Sequence, residues 1–131
     1  MKKFLFLAIL GLISTVSVMA QQDIKFAEGS FKFGKIEQNK PVTHIFTYTN
    51  NGAKPLVVEF ASAECGCTTP EYSKEAILKG KSSTIKVTYN AAAMGAFSKR
   101  VTVKFAGVND PVILTIEGEV VAAKPKAASK K

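Results

Sequence analysis

The chain has 131 residues, enough for one domain and not two. Its formal charge is +8, but residues 21–120 carry 12 basic and 10 acidic side chains, a balance of +2, so the excess sits at the two ends. That distribution argues against a dedicated nucleic-acid surface, which needs Lys and Arg clustered on one folded face.

Met1-Lys2-Lys3 is a short positive start. Residues 4–18 form an apolar run broken only by Gly11, Ser14, Thr15 and Ser17, and Val18-Met19-Ala20 closes it with small or compact side chains. This pattern predicts a secretory signal peptide over residues 1–20, cleaved after Ala20. The apolar run is shorter than the roughly 20 residues needed to span a bilayer. No Cys stands near the cleavage point to carry a lipid, and no second apolar run of spanning length follows. The expectation is a periplasmic or extracellular protein without stable membrane insertion after cleavage.

From residue 21 onward the chain has 10 Val, 7 Ile and 9 Thr against 3 Leu. β-branched side chains lose rotamer freedom in helices and pack well on pleated surfaces. Strand patterns follow in order. Phe31-Lys32-Phe33 alternates. Residues 42–49 set Val42, His44, Phe46 and Tyr48 on one face, and residues 56–61 set Leu56, Val58 and Phe60 together. Residues 84–89 align Ile85, Val87 and Tyr89, and residues 97–105 align Phe97, Val101, Val103 and Phe105. Residues 112–120 align Val112, Leu114, Ile116 and Val120. A period of two is the strand signal, and Asn-Gly, Lys-Gly, Met-Gly and Asn-Asp-Pro elements separate the runs. About seven short strands over residues 21–121 predict an all-β, immunoglobulin-like sandwich with Phe46, Val58, Val87 and Val103 in its core. The Trp and the long-range disulfide of antibody domains are absent. Residues 122–131 lack large apolar side chains and read as a disordered Lys-rich tail.

Cys65-Gly66-Cys67 follows a strand and precedes Thr68-Thr69-Pro70, which places it on a loop. Three readings stay open. A Cys65–Cys67 disulfide suits an oxidising compartment, with Gly66 supplying the unusual backbone angles so small a ring demands. Closing a three-residue loop is worth about 1.6 kcal/mol in chain entropy before strain, so such a bond is a poor staple and more readily reduced. Alternatively, two thiolates can hold Cu(I). Zinc needs about four ligands, and the chain offers only one His and no further Cys. The third reading is a pair that shapes the loop without turnover or metal. The spacing is one residue shorter than that of thioredoxin-type oxidoreductases.

Phe31 to Ile36, His44 to Gly52 and Pro55 to Val58 join Cys65-Gly66-Cys67-Thr68, Gly95 to Lys99 and Leu114 to Val120 in one pattern. Together they resemble the bacterial secreted family called domain of unknown function 1573, from about residue 26 to 121. The Cys-Gly-Cys-Thr element is the most specific part. The resemblance implies an immunoglobulin-like sandwich similar to Hydin-type domains and periplasmic chaperone-type sandwiches, and it implies no established activity.

His44 is the only histidine, and its parity points it inward as a half-buried structural residue; the sharper alternative makes it a partner of Cys67. Ser-His-Asp catalysis would need the same His, and no Gly-x-Ser-x-Gly elbow exists. Glu71 and Glu75 are close in sequence, but nothing places them across a cleft as a glycosidase pair. Lys86, Lys99, Arg100 and Lys104 read as solvated or edge-protecting positions. The sequence therefore points to a non-enzymatic module that binds an envelope protein or envelope component, or serves as a structural part. The alternative is thiol redox or copper handling at Cys65 and Cys67.

Overall fold

The computed structural model describes residues 23–123. The segment 1–20, expected to be a signal peptide, lies outside them, as do residues 124–131 of the tail expected over 122–131. Among the described residues there is no helix. Eight strands form two four-stranded sheets, one more strand than the approximate count expected from the sequence. In chain order they are β1 (Ile24–Phe26), β2 (Ser30–Glu37), β3 (Val42–Asn50), β4 (Val58–Ala63), β5 (Thr68–Tyr72), β6 (Ser82–Tyr89), β7 (Gly95–Phe105) and β8 (Val112–Val121).

The front sheet runs β1-β3-β6-β5 and the back sheet β2-β8-β7-β4. All pairings are antiparallel except β2 with β8, which is parallel. The exception follows from a switch of sheets. After β1 pairs with β3, Ala27 N–H donates to Thr47 O at 3.0 Å, and the chain then crosses to the back sheet. There Thr115 N–H donates to Gly29 O at 2.9 Å, and β2 runs alongside β8. A bulge between Lys32 and Lys35 interrupts β2, where Gly34 takes a φ of 72°. A left-handed conformation in a bulge favours glycine.

The period-two reading of β3, β6, β7 and β8 matches the interior. Phe46, Val58, Val87 and Val103 are buried, joined by Tyr48, Ile85, Tyr89, Val101, Phe105, Leu114 and Ile116. Tyr48 lies 5.3 Å, centroid to centroid, from both Phe26 and Phe105. Tyr89 stacks on Phe97 at 4.0 Å.

Two expectations need correction. Alternation sets Phe60 in phase with Leu56 and Val58, yet it is 43% exposed. A β-bulge between Val58 and Phe60 shifts the register, so Phe60 turns outward while Ala61 and Ala63 pack against the core. Leu56 lies outside β4 and makes an isolated bridge to Ile77. The Cys65-Gly66-Cys67 turn is the expected loop, and Thr68-Thr69-Pro70 after it begins strand β5. Pro70 is tolerated because β5 is an edge strand. Asn90 N–H donates to Cys67 O at 2.9 Å, which fixes the alternation of the β5–β6 ladder and turns the backbone of Pro70 toward the free edge.

Asn50 is a buried polar residue, 1% exposed, at the end of β3. Its side-chain NH2 donates to Lys54 O at 2.8 Å and Ile77 O at 2.7 Å, and its Oδ1 accepts from Gly52 N–H at 2.9 Å. One amide thus ties the turn after β3 to the segment leading into β6. Such full satisfaction is what burial of an amide requires.

Candidate functional site

The Cys65-Gly66-Cys67 turn forms where the chain leaves the back sheet and enters the front one. β4 ends at Ala63 on the edge of the back sheet, and β5 begins at Thr68 on the edge of the front sheet. Glu64 fixes the entry. Its N–H donates to Arg100 O at 3.2 Å, and its Oε1 accepts from Arg100 N–H at 3.1 Å. The two side chains also pair at 3.5 Å. Thr68 N–H to Cys65 O, at 3.4 Å, closes the turn, and the Asn90 to Cys67 hydrogen bond anchors its exit.

Cys65 and Cys67 are disulfide-bonded, with Cα atoms 5.3 Å apart, a usual separation for bridged cysteines. Cys67 packs against the core. Thr68, only 3% exposed, places its hydroxyl 3.9 Å from Cys65 Sγ and 3.7 Å from Cys67 Sγ. Bonded sulfurs carry no proton, so Thr68 O–H is the donor in these weak contacts. Gly66 departs from expectation: it does not have a positive φ, and a Cβ built on it would meet nothing within 4 Å. Neither a left-handed φ nor crowding demands glycine there.

The other candidate residues are engaged elsewhere. The His44 side chain is 17% exposed, and its Nε2 is hydrogen-bonded to Glu28 Oε1. Its ring stacks on Phe31 at 3.7 Å and meets the Phe46 ring edge-on at 4.7 Å. His44 and Cys67 flank β6 from opposite sides, about 10 Å apart across the sheet. They are also three register positions apart, at Val87 and Asn90. The structure does not bring them together. Glu71 pairs with Lys86 on the exposed face at 3.3 Å, and Glu75 lies beyond β5, its N–H donating to Ser73 Oγ at 3.1 Å. Among the described residues no three His, Cys, Asp or Glu side chains cluster to hold a metal ion. Cu(I) would need Cys65 and Cys67 as thiolates, which requires prior reduction of their bond.

Sequence reasoning missed Arg100 and Glu28 as partners of this architecture. Arg100 reads as an ordinary solvated base until the register sets it opposite Glu64, and Glu28 contacts His44 only because the chain switches sheets beside it. Asn50 did carry a signal, because Asn-Asn-Gly marks a turn.

Two four-stranded sheets packed face to face, with the chain crossing between them after β1, define an immunoglobulin-like β-sandwich. The chain belongs to the protein family of unknown function DUF1573, whose profile matches residues 24–120. The ASH/PapD-like domain of human CEP192 (PapD-like domain 7) superposes with a TM-score of 0.66 at 9% identity, covering 78% of this chain and 87% of that one. A protein of unknown function from Porphyromonas gingivalis W83 gives 0.62 at 10% identity, covering 73% of this chain and 46% of that one. The VesB protease of Vibrio cholerae gives 0.59 at 16% identity, covering 75% and 32%. This chain thus spans about half and about a third of the latter two. At these identities the likeness is one of fold. No curated protein matches the chain.

Proposed function

We infer that this protein is an exported, non-enzymatic module of the cell envelope that binds an envelope protein or component, or serves as a structural part. The observation that supports it is how the reactive side chains are used. Cys65 and Cys67 bond to each other, His44 is held by Glu28 and Phe31, and Glu71 is paired with Lys86. Each is paired with a neighbouring group of this chain, and no two of these pairs converge on one cleft. Export follows from the signal-peptide pattern of residues 1–20, and an oxidising compartment suits the disulfide. In-cell cross-linking followed by mass spectrometry tests the reading. Reproducible links from sheet-surface residues to one envelope component are expected. Turnover of ester, peptide or disulfide substrates by the purified chain would overturn it.

The second reading is thiol redox or Cu(I) handling by Cys65 and Cys67, and the partly exposed turn that carries both sulfurs favours it. Thiol counting with and without reductant, together with a copper assay, separates the two. A bond that cycles with a dithiol, or copper retained by the reduced pair, would promote the second reading. A bond that stays closed through exchange would leave the first.

A further inference from the structure

The two sheets have four edge strands, and three of them are poor templates for pairing with another chain. β1 has three residues. β2 carries the Gly34 bulge. β5 presents Pro70, which has no N–H, toward its free side. Short edges, bulges and edge prolines are the usual guards against strand addition. β4 differs. Glu64 N–H bonds to Arg100 O, so the alternation from Phe60 to Glu64 directs Phe60, Ser62 and Glu64 toward β7. The N–H and C=O of Ala61 and Ala63 therefore point outward from the sheet.

A hollow of about 310 Å³ lies on the outer face beside this edge, lined by Ser62, Ala63, Glu64, Arg100, Thr102 and Ile113. Phe60, exposed on that same face, stands two residues from Ser62. A side chain that projects and a hollow that receives it thus occupy one strand. That is the requirement for an isologous interface, in which the same patch serves both partners.

We propose that the protein forms a symmetric dimer by antiparallel pairing of β4 with β4 of a second copy. The twofold axis lies at Ser62, and Phe60 of each copy seats in the hollow of the other. In this register Ala61 pairs with Ala63 of the second copy, and reciprocally, so four outward backbone hydrogen bonds are made. Phe60 faces Glu64 of the second copy, so no like charges meet across the seam. Its ring approaches Arg100 there, a cation–π partner, and Ile113 supplies apolar contact. The bulge at Glu59 ends the pairing at Phe60. The back sheets join into one sheet of eight strands. The proposal is independent of what the module binds in the envelope.

Sedimentation of the full chain over a concentration series tests it. A concentration-dependent dimer is expected. Phe60→Ser should weaken it at least about tenfold, because the lost side chain is the central apolar anchor. Ala63→Pro should do the same, since it removes an outward donor and no hydrogen bond to β7. Ile45→Ser, on the front sheet, should leave the dimer unchanged. Ser62→Cys gives a second readout that does not rely on weakening. Facing residues in such a non-hydrogen-bonded pair have Cα atoms about 4.5 Å apart, close enough for a disulfide. The expected product is a dimer cross-linked between the introduced thiols, with the Cys65–Cys67 bond intact by mass spectrometry, whereas Thr102→Cys, one strand inward, should give none. A monomer at every concentration would overturn the proposal, as would a dimer indifferent to Phe60→Ser and Ala63→Pro. An edge occupied by a strand of a different protein while this chain stays monomeric would also overturn it.

Discussion

A Cβ built on Gly118 would stand 2.8 Å from two ring carbons of Phe97 and 2.9 Å from the carbonyl oxygen of Gly34. The Phe97 ring is stacked on Tyr89, a contact it would have to give up to withdraw. Gly34 belongs to the β2 bulge, whose far side is fixed by the pairing of Lys35 with Glu119. Gly118→Ala should therefore cost about 1–3 kcal/mol, the usual penalty for overpacking. In denaturant titration the midpoint should fall with little change in slope. Gly66→Ala is the contrast. With open space around it and no positive φ, it should change stability by less than about 0.5 kcal/mol.

Asn50→Ala should lower stability by at least about 2 kcal/mol. The substitution leaves the carbonyl of Lys54 and the N–H of Gly52 without these partners and takes from Ile77 O one of its two donors, the other being Leu56 N–H, and a buried group left without its partner costs about 1–3 kcal/mol. Asn50→Asp should be no better, because it sets a carboxylate against two carbonyl oxygens. Thermal unfolding of both variants beside Asn51→Ala, whose side chain is exposed, checks this.

Phe46 and Phe60 look alike in their alternating segments but should respond oppositely. Phe46→Ala removes a fully buried ring and should cost about 3–5 kcal/mol. Phe60→Ala, on the outward side of the bulge, should cost under about 0.5 kcal/mol at concentrations where the chain is monomeric. Equal costs would mean that the bulge is absent in solution.

Tyr48 gives a pH prediction. Burial raises its pKa above the ordinary 10.0, and the hydrogen bond with Ser83 opposes the rise. The folded state then holds the phenol proton more tightly than the unfolded chain does. This contribution is complete below about pH 10 and is lost as the pH climbs through the folded-state value. Tyr48→Phe cannot ionise, so its stability should decline less steeply than the wild type above pH 10. Paired denaturant titrations from pH 8 to pH 11 measure the difference. Parallel curves would show that Tyr48 is not desolvated.

The sandwich and most of its core were legible in the sequence because side-chain alternation is a local property. Phe46, Tyr48, Val87, Val101, Val103 and Leu114 each face the side that their period-two neighbours indicate. The Cys65–Cys67 pair was legible too, as two sulfurs too close in sequence to staple anything distant. What alternation does not encode is the partner of each edge or the point where register slips. The bulge beside Glu59 that turns Phe60 outward arises from the pairing of β4 with β7, a contact across more than forty residues. The pairing of Glu64 with Arg100 and of Glu28 with His44 likewise exists only once strands from distant segments lie side by side. Local patterning determined which residues prefer the interior, because burial of an alternating strand depends on its own side chains. Only the tertiary structure decided which backbone groups stay unpaired at the β4 edge, because hydrogen-bond alternation belongs to a pair of strands and not to either one.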